Sequence, residues 1–269
     1  MPELPEVESV ARSIINARPP LLGSRVVSVD AVWAGVVAGT SPDIFSATLC
    51  GRILQGVSRH GKYLFFELIS DGHAISVALH LRMTGIVHIC AADTAPGRHT
   101  RLIIGFDNGR ALRFDDPRKF GRVWLVDTPA DAIAGLGPDA LSVGWEEFRQ
   151  RLRGSRRQLK TLLLDQSFLA GIGNIYADES LFLAGLHPLR RSESLDDNDV
   201  ARLYQAVKTV LDEAVGSGGA NIDGVFKAGG YLVRVYGREG LPCLKCGSRI
   251  EKIRVGQRGT HYCPDCQLA

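Results

Sequence analysis

The chain begins with a proline directly after the initiator methionine, in the run MPELPE at positions 1–6. Removal of the methionine would leave Pro2 with a free secondary amine. An α-amino group has a pKa of about 8 and a lysine ammonium one of about 10.4, so the terminal amine is the better nucleophile at neutral pH. Its condensation with an aldehyde or sugar carbon gives a cationic iminium, which is an electron sink for elimination chemistry. The alternative is an ordinary chain start with a rigid second residue.

Four of the six cysteines lie near the C-terminus at the spacing of a structural zinc site. They are Cys243, Cys246, Cys263 and Cys266. Two C-x2-C pairs separated by sixteen residues suit one tetrahedral Zn²⁺, and disulfides are disfavoured in a chain of cytosolic composition. We expect the metal to replace a hydrophobic core in this segment, whose basic tip includes Arg258. Cys50 and Cys90 lie in apolar, strand-like segments and are expected to be buried free thiols.

Three short stretches carry residues that suit contact with nucleic acid. The turn at 171–174, GIGN, would direct backbone amides at an anion from a helix N-terminus. The loop at 116–121, DPRKFG, offers two cations and an aromatic ring, and the loop at 81–85, LRMTG, offers a flexible apolar side chain. Apolar wedges beside cations can open a base step. The alternatives are an ordinary helix start, a β-turn with a satisfied aspartate, and a methionine in the core.

Short β-rich segments dominate residues 24–126 and follow one amphipathic helix. The helix is predicted from apolar residues at helical spacing between Val7 and Ile15, and it ends before Pro19. Asp107-Asn108-Gly109 predicts a tight hairpin turn. The predicted strands are 25–32, 51–68, 75–82, 85–90, 102–106, 111–114 and 122–126. This pattern favours a β-sandwich or flattened barrel fronted by the helix.

The second half of the chain is predicted to be helical, after a linker at 127–144 that is rich in Pro, Gly, Ala and Asp. Candidate helices span 146–153, 157–164, 175–184 and 199–215. The third has Asn174 as its expected N-cap and Gly185 as its C-terminal stop. Residues 216–230 contain six glycines, which suits a functional loop better than regular structure.

Charge is unevenly distributed along the chain, although the net charge of its 269 residues is only +3. Residues 225–269 carry eight Lys/Arg and three Asp/Glu, a local charge of +5 by subtraction, and residues 149–160 carry six basic residues and no acid. The asymmetry favours a polyanionic partner for the C-terminal half, with a solvated basic face as the alternative. The sequence has neither a secretory signal nor an apolar run of membrane-spanning length, so we expect a cytosolic protein without membrane contact.

Together these motifs resemble the bacterial formamidopyrimidine-DNA glycosylase family, and its purine-lesion branch more than its endonuclease VIII relatives. The shared motifs are MPELPEVE at 1–8, GKYL at 61–64, HLRMTG at 80–85, DPRKFG at 116–121, GIGNIYADES at 171–180, VYGR at 235–238 and QR at 257–258. The resemblance implies a bifunctional enzyme of base excision repair. Such an enzyme flips an oxidised purine, 8-oxoguanine or a formamidopyrimidine, from duplex DNA, cleaves its glycosidic bond, and nicks the strand by β- and δ-elimination.

The resemblance also implies catalytic roles. Pro2 resembles the Schiff-base nucleophile that attacks the sugar C1′, and Glu3 resembles the acid at the deoxyribose ring oxygen. Lys62 resembles the lysine that assists base release and β-elimination, and Glu6 resembles a supporting carboxylate. Arg258 is included among these expected catalytic residues, and it resembles a residue that contacts a phosphate.

A second group of residues resembles the DNA contacts of the family. Met83, Arg118 and Phe120 resemble the side chains that fill the space left by the flipped base, with Arg118 facing the unpaired cytosine. The other expected DNA-binding residues are His99, Lys160 and Asn174, which resemble phosphate contacts, and Arg157.

The fold implied by the resemblance is multidomain α+β: an N-terminal β-sandwich with an N-terminal helix, then a helical helix-two-turn-helix domain with a four-cysteine zinc-finger β-hairpin. The expected boundaries are 1–130 for the catalytic sandwich, 131–216 for the helical domain, 217–234 for the glycine-rich base-covering loop and its lead-in, and 235–269 for the hairpin. The expected cofactor is one structural Zn²⁺. The expected partner is double-stranded DNA with a damaged base or abasic site, bound by a monomer in the bacterial cytoplasm at the nucleoid.

The glycine-rich segment departs from the family pattern, because it is short and lacks the threonine-leucine-basic-aspartate-phenylalanine run that usually follows the paired glycines. This loop covers the flipped base in the family, and its polar candidates here are Ser217, Asn221 and Asp223. We therefore expect weak selectivity for 8-oxoguanine over ring-opened purines. Two alternatives stay open: a catalytically silent zinc protein that binds DNA or senses lesions, and an active paralogue that prefers oxidised pyrimidines or abasic sites.

Overall fold

The computed structural model describes residues 1–221 and 229–268, and these residues form two compact units. The first unit contains residues 1–2 and 6–134. The second contains residues 3–5, 135–221 and the described residues from 229 onward. The first six residues are therefore shared between the units: Pro2 and Glu6 belong to the first, and Glu3 belongs to the second.

The first unit consists of helices and two β-sheets. Its elements are α1 (Leu4–Ile15, whose first two residues belong to the second unit), β1 (Val26–Asp30), β2 (Val37–Ala38), α2 (Pro42–Leu49), β3 (Ile53–His60), β4 (Tyr63–Ser70), β5 (His73–His80), β6 (Ile86–Ala91), β7 (Thr100–Phe106), β8 (Arg110–Asp115), β9 (Arg122–Val126) and α3 (Pro129–Ala132). One sheet has the strand order β2-β9-β5-β4-β3, and the other has the order β1-β7-β8-β6. Neighbouring strands are antiparallel except β2 and β9, which run parallel.

One apolar core joins α1 to both sheets. Val7, Val10 and Ile14 recur at helical spacing, so they lie on one face of α1 and are buried together. The same buried cluster includes Phe66 of β4 and Phe114 of β8, one from each sheet. The predicted β-sandwich with an N-terminal helix is confirmed.

The predicted strands agree in position with the observed strands, except that one predicted strand is two strands in the structure. The sequence predicts one strand at 51–68, whereas the structure has the hairpin of β3 and β4, turned at Gly61 with a φ of 56°. The predicted hairpin turn at 107–109 joins β7 and β8. The prediction misses β2 and α2, although the Ser41 hydroxyl caps α2 by accepting a hydrogen bond from the Ile44 amide at 3.2 Å.

The prediction that both stray cysteines are buried is wrong. Cys50 is exposed because it forms the C-terminal cap of α2, where the chain leaves the helix. Cys90 is partly exposed on β6, which is an edge strand of its sheet.

The second unit is helical, with one β-hairpin. Its elements are α4 (Trp145–Arg153), α5 (Leu159–Leu164), α6 (Asn174–Ala184), α7 (Asp197–Gly216), β10 (Glu251–Val255) and β11 (Arg258–Tyr262). The α6 residues from Ile175 to Leu181 are all buried, and α6 ends at Gly185 with the expected left-handed φ of 68°. Because Asp178 and Glu179 are among these buried residues, the structure must provide partners for their carboxylates.

The segment 127–144 is more ordered than a linker. It contains α3, and Ala140 and Val143 are buried in the core of the helical unit. Backbone hydrogen bonds of 3.0 Å and 2.9 Å connect the Ala140 amide to the Ala170 carbonyl and the Ala170 amide to the Pro138 carbonyl. Among the helices within 1–221 and 229–268, none has the length and apolar character needed to span a bilayer.

Candidate functional site

The carboxylate of Glu3 occupies the N-terminus of α6. Its Oε2 accepts hydrogen bonds from the amides of Gly173 at 2.9 Å and Tyr176 at 3.4 Å, and its Oε1 accepts one from Ile175 at 3.0 Å. Free amides and the helix dipole both favour a negative charge at this position. The turn at 171–174 is therefore an anion site, as the sequence predicts, but the anion that occupies it is Glu3.

Two glycines make this arrangement possible. A Cβ at Gly173 would lie 2.3 Å from Cδ of Glu3, and one at Gly171, whose φ is 111°, would lie 2.4 Å from Cδ1 of Leu4. The Leu4 amide also donates to the Gly171 carbonyl at 3.1 Å. The N-cap of α6 is Gly173, so the prediction of Asn174 as N-cap is wrong by one residue. Pro2, itself buried, directly precedes this fixed segment.

Lys62 follows the left-handed turn between β3 and β4. Its residue exposure is 7%. The carbonyl of the preceding Gly61 accepts a hydrogen bond from Nη1 of Arg59 at 3.0 Å, and Nε of Arg59 donates to Oε2 of Glu8 in α1 at 2.8 Å. Burial raises the pKa of Glu8, but the hydrogen bonds from Arg59 and Arg12 outweigh it and hold the pKa below its ordinary value. An ion pair anchored on α1 thus supports the turn that presents Lys62.

Glu6 lies in the first turn of α1 and is buried. It belongs to the first unit, as do Pro2 and Lys62.

Met83, Arg118 and Phe120 lie on two loops, 81–85 and 116–121, which we call the wedge loops. All three side chains are exposed, Met83 by 39% and Phe120 by 46%. The guanidinium carbon of Arg118 lies 4.8 Å from the centre of the Phe120 ring, a cation–π contact. A core position for Met83 is thereby excluded, and the three side chains are available to a partner.

Asp116 holds the second wedge loop in shape. It is fully buried, and its carboxylate accepts the amides of Arg118 at 3.1 Å, Phe120 at 2.7 Å and Gly121 at 2.8 Å. The Asp116 amide donates at 2.9 Å to the carbonyl of His99, whose side chain is exposed as expected for a phosphate contact.

His80, which the sequence analysis does not single out, stands at the entrance to the first wedge loop. Its Nδ1 accepts a hydrogen bond from the Arg82 amide at 2.9 Å, and its ring meets Tyr63 edge-on with centres 4.7 Å apart. Burial, aided by the charges of Arg82 and Lys62, lowers the pKa of His80 to about 3. The imidazole is therefore neutral at physiological pH, as its acceptor role requires.

The four C-terminal cysteines converge as a metal site requires. Their sulfurs lie within 4.8 Å of one another, with 4.0 Å between those of Cys243 and Cys266 and 3.4 Å between those of Cys246 and Cys263. A tetrahedral Zn²⁺ with Zn–S bonds of about 2.3 Å needs sulfurs roughly 3.8 Å apart. The set therefore fits one structural Zn²⁺, which would stabilise the fold of the hairpin.

Lys160 is not available to a phosphate, so that prediction is wrong. Lys160 and Asp178 both have side-chain exposures of 0%, and Nζ of the lysine lies 2.6 Å from Oδ1 of the aspartate. Nζ also donates to the Asn174 carbonyl at 3.0 Å. Burial lowers the pKa of Lys160 below its ordinary value, although Asp178 opposes this effect. The other oxygen of Asp178 accepts the His261 amide at 2.9 Å, so the pair ties the helices to the hairpin.

Asn174 likewise contacts the hairpin. Its Nδ2 donates to the Gly259 carbonyl at 2.9 Å, while its buried Oδ1 accepts no hydrogen bond from residues 1–221 or 229–268. Gly259 adjoins the exposed Arg258, which pairs with Val255 at the end of the two strands. Asn174 and Asp178, one helical turn apart on α6, therefore fix the strand that carries Arg258.

Most of the basic run at 149–160 is neutralised by acids. The ion pairs are Arg149 with Glu146, Arg151 with Glu147, Arg153 with Asp197, Arg157 with Asp165, and Lys160 with Asp178. Arg157 is exposed but shares its charge with Asp165. The positive field predicted from this run is correspondingly weaker than the count of six basic residues indicates.

Glu179 is a further buried acid that sequence reasoning misses. Its carboxylate accepts the amides of Arg234 at 2.8 Å, Val235 at 2.9 Å and Tyr236 at 2.9 Å. Burial raises the pKa of Glu179, and these amides oppose the shift. The sequence does carry one signal for this role: Glu179 is an acidic residue among the apolar residues of α6, and a buried carboxylate requires hydrogen-bond partners.

The stem of the glycine-rich loop is closed by backbone hydrogen bonds. The amides of Gly230 and Tyr231 donate to the carbonyls of Ser217 and Gly219 at 2.8 Å and 3.0 Å. The Ser217 hydroxyl donates to the Glu213 carbonyl at 2.8 Å, so it caps the C-terminal end of α7. Asn221 is exposed, and the prediction for Asp223 lies outside the described residues.

A helix-fronted β-sandwich, a helical unit and a four-cysteine hairpin together define a DNA glycosylase of the helix-two-turn-helix class. Family models agree along the chain. The formamidopyrimidine-DNA glycosylase N-terminal domain matches residues 1–123, the formamidopyrimidine-DNA glycosylase H2TH domain matches residues 135–224, and the zinc finger found in FPG and IleRS matches residues 240–269.

Relatives that match over nearly their whole length are named formamidopyrimidine-DNA glycosylase. The chain is 45% identical to the formamidopyrimidine-DNA glycosylase of Herpetosiphon aurantiacus, over 99% of this chain and 100% of the relative. It is 38% identical to that of Latilactobacillus sakei, over 100% and 98%. A solved structure of MutM in complex with DNA containing carbocyclic 8-oxo-G has a TM-score of 0.89 and 34% identity, covering 100% of both chains. One of Lactococcus lactis FPG with DNA containing FAPY-dG has a TM-score of 0.88 and 34% identity, covering 99% and 100%.

The chain belongs to the formamidopyrimidine-DNA glycosylase family. Enzymes of this family are DNA glycosylases and abasic-site lyases of base excision repair, and the chain is such an enzyme.

Proposed function

We propose that this protein excises 8-oxoguanine and formamidopyrimidines from duplex DNA, with Pro2 as the covalent nucleophile. Loss of Met1 exposes the Pro2 amine, whose nitrogen bonds to the sugar C1′ as the bond from C1′ to the base breaks. The sugar ring then opens as the C1′–O4′ bond breaks, with Glu3 as the proposed acid that gives O4′ its proton, and this step leaves an iminium at C1′. The iminium acidifies the C2′ proton, so elimination breaks the C3′–O bond, and a second elimination breaks the C5′–O bond.

The fixed position of Glu3 supports this proposal. Three amide hydrogen bonds restrain this carboxylate, which lies one residue from the proposed nucleophile. Lys62, on its supported turn, is the proposed proton carrier for base release and β-elimination, and Glu6 is the proposed supporting carboxylate.

The exposed Arg258 and His99 are the proposed phosphate contacts, and the exposed wedge residues are proposed to fill the space left by the flipped base. The lesion class rests on the relatives, whose solved complexes contain 8-oxo-G, FAPY-dG and abasic-site DNA. We propose that the protein acts as a monomer in the bacterial cytoplasm.

Borohydride trapping tests the nucleophile. Protein whose loss of Met1 is verified by mass spectrometry should form a covalent complex with duplex DNA containing an abasic site or 8-oxoguanine. Pro2→Gly should reduce the yield strongly, because glycine leaves a primary amine without the ring. The absence of a trapped complex from trimmed protein would remove both Pro2 and the lyase reaction from the proposal.

Glu3→Gln separates the two chemical steps. The variant should still be trapped on a preformed abasic site, whereas excision of 8-oxoguanine should slow strongly because the acid at the ring oxygen is lost. Equal trapping and unchanged excision would show that Glu3 serves only to dock the N-terminus.

A further inference from the structure

The two wedge loops share one anchor. The Thr84 hydroxyl of the first loop donates to Oδ1 of Asp116, and the same oxygen accepts the Arg118 amide of the second loop at 3.1 Å. Because Asp116 is fully buried and charge-assisted hydrogen bonds are strong, this carboxylate connects the loops firmly. The side chain through which the first loop binds Asp116 is that of Thr84, by its hydroxyl group.

Both loops also end on the same aromatic ring. A Cβ at Gly85 would lie 2.6 Å from Cε2 of Phe114, and one at Gly121 would lie 2.3 Å from Cζ of the same ring. Phe114 is fully buried in the core of the sandwich. The loops are therefore packed against one rigid surface as well as hydrogen-bonded to one carboxylate.

Each loop contains a residue in an unfavourable backbone conformation next to a wedge residue. Arg82, before Met83, has a φ of 56°, and Lys119, between Arg118 and Phe120, has a φ of 59°. Residues other than glycine adopt this region at a cost, so it persists only where the surroundings hold it. The Thr84–Asp116 hydrogen bond is one such restraint on the first loop.

We propose that Thr84 is a positioning residue for base flipping, because its hydroxyl locks the two wedge loops into one unit through Asp116. Met83, Arg118 and Phe120 then enter a base step together, with less conformational entropy to lose than two independent loops would have. The inference rests on the proposed function and adds a residue that acts through the wedge side chains.

Thr84→Val tests this role because it removes the hydroxyl and keeps the shape, and Thr84→Ser is the matched control that keeps the hydroxyl. Single-turnover excision of 8-oxoguanine opposite cytosine should slow about tenfold in the valine variant, the effect of one lost hydrogen bond to a charged group. Nicking of a duplex with a preformed abasic site should stay close to wild type. The valine variant should also discriminate less between cytosine and adenine opposite the lesion, because Arg118 is less firmly held.

Measuring both 8-oxoguanine excision and abasic-site nicking, in wild-type and variant protein, distinguishes a failure of this inference from a failure of the proposed function. A wild-type protein that neither nicks an abasic site nor excises the lesion contradicts the proposed function, whatever Thr84 does. If wild-type protein is active and the valine variant excises 8-oxoguanine equally fast, the positioning role is wrong. Failure of the serine variant to retain wild-type excision would assign the effect to side-chain volume and would also overturn the inference.

A double-mutant cycle with Phe120 provides a second measurement. If the loops act as one unit, Thr84→Val should slow excision little further in a Phe120→Ala background, whereas independent loops would give additive losses. Thermal melting verifies that each variant is folded. If Thr84→Val does not fold, Thr84→Ala replaces it in the comparison with Thr84→Ser. Equal rates of 8-oxoguanine excision by the alanine and serine variants would then contradict the proposal.

Discussion

Replacement of Lys160 by methionine distinguishes a buried structural lysine from a phosphate contact. Methionine keeps most of the apolar stem but removes the charge, so the carboxylate of Asp178 is left buried without its cation. The two charged atoms are 2.6 Å apart and both side chains have exposures of 0%, so solvent cannot take the place of the lost partner. Breaking a buried ion pair in this way costs about 3–5 kcal/mol.

The expected change in melting temperature is large. In a domain of this size about 1 kcal/mol corresponds to roughly 4 °C, so Lys160→Met should lower the melting temperature of the helical unit by about 12–20 °C. Differential scanning calorimetry measures this shift. The charge-matched control is Arg156→Met, since Arg156 is exposed on the same segment and its loss should change stability by less than about 0.5 kcal/mol.

A second substitution examines the cause. Lys160→Met combined with Asp178→Asn removes the uncompensated charge, while the asparagine oxygen can still accept the His261 amide. The double variant should therefore be more stable than Lys160→Met alone. The salt dependence of DNA binding, measured well below the melting temperature, should match wild type. A Lys160→Met protein that melts like wild type but loses about one unit of the slope of log K against log salt would refute the buried-pair reasoning and restore the phosphate contact.

Four further substitutions address the other parts of the site. Arg258→Ala should spare folding and lower the salt slope of DNA binding by about one unit, because one phosphate contact is lost. Cys243→Ser, or removal of zinc by a chelator, should unfold the hairpin and weaken DNA binding but leave the melting transition of the sandwich in place, as calorimetry can show. Phe120→Ala should slow excision from duplex DNA much more than nicking at a preformed abasic site, because unstacking is no longer offset. His80→Asn should flatten the acid limb of stability between about pH 6.5 and 3. The pKa of His80 is lowered to about 3, so in this window the unfolded chain binds a proton that the folded chain does not, and stability falls with falling pH.

Each of these expectations has a contrary outcome. An unchanged salt slope in Arg258→Ala would show that the exposed guanidinium does not contact phosphate. Retention of the hairpin after zinc removal, seen as unchanged amide exchange in β10 and β11, would mean that the metal is not structural. Equal losses on both substrates in Phe120→Ala would count against intercalation. A His80→Asn acid limb as steep as that of wild type would mean that another group controls it.

Local patterns in the sequence were sufficient for the elements and the metal site. The apolar face of α1, the turn at 107–109 and the stop at Gly185 each follow from a few neighbouring residues, and the structure has all three. The paired C-x2-C motifs likewise determine their ligand set from spacing alone, and the sulfurs converge as a tetrahedral site requires.

Partnerships between distant residues could not be predicted in the same way. Lys160 has the type and sequence context of a phosphate contact, but its exposure depends on α6 and the hairpin packing around it. The run at 149–160 reads as positive because some of its acidic partners, such as Asp197, come from elsewhere in the chain. The sequence predicts an anion site at the turn 171–174, yet nothing local indicates that the anion is Glu3.

The hydrogen bonds of Glu3 also impose an order on synthesis. Its amide partners Gly173 and Ile175 follow it by 170 and 172 residues. A ribosome adds about 5–20 residues per second, so roughly 10–30 s separate the appearance of the carboxylate from that of its partners. The strands of the sandwich can pair during this interval, but the acid beside Pro2 gains its fixed position only once α6 has emerged. A nascent or prematurely ended chain thus carries the proposed nucleophile, Pro2, without a fixed Glu3 beside it, and the proposed chemistry becomes available only after the helical unit has been made.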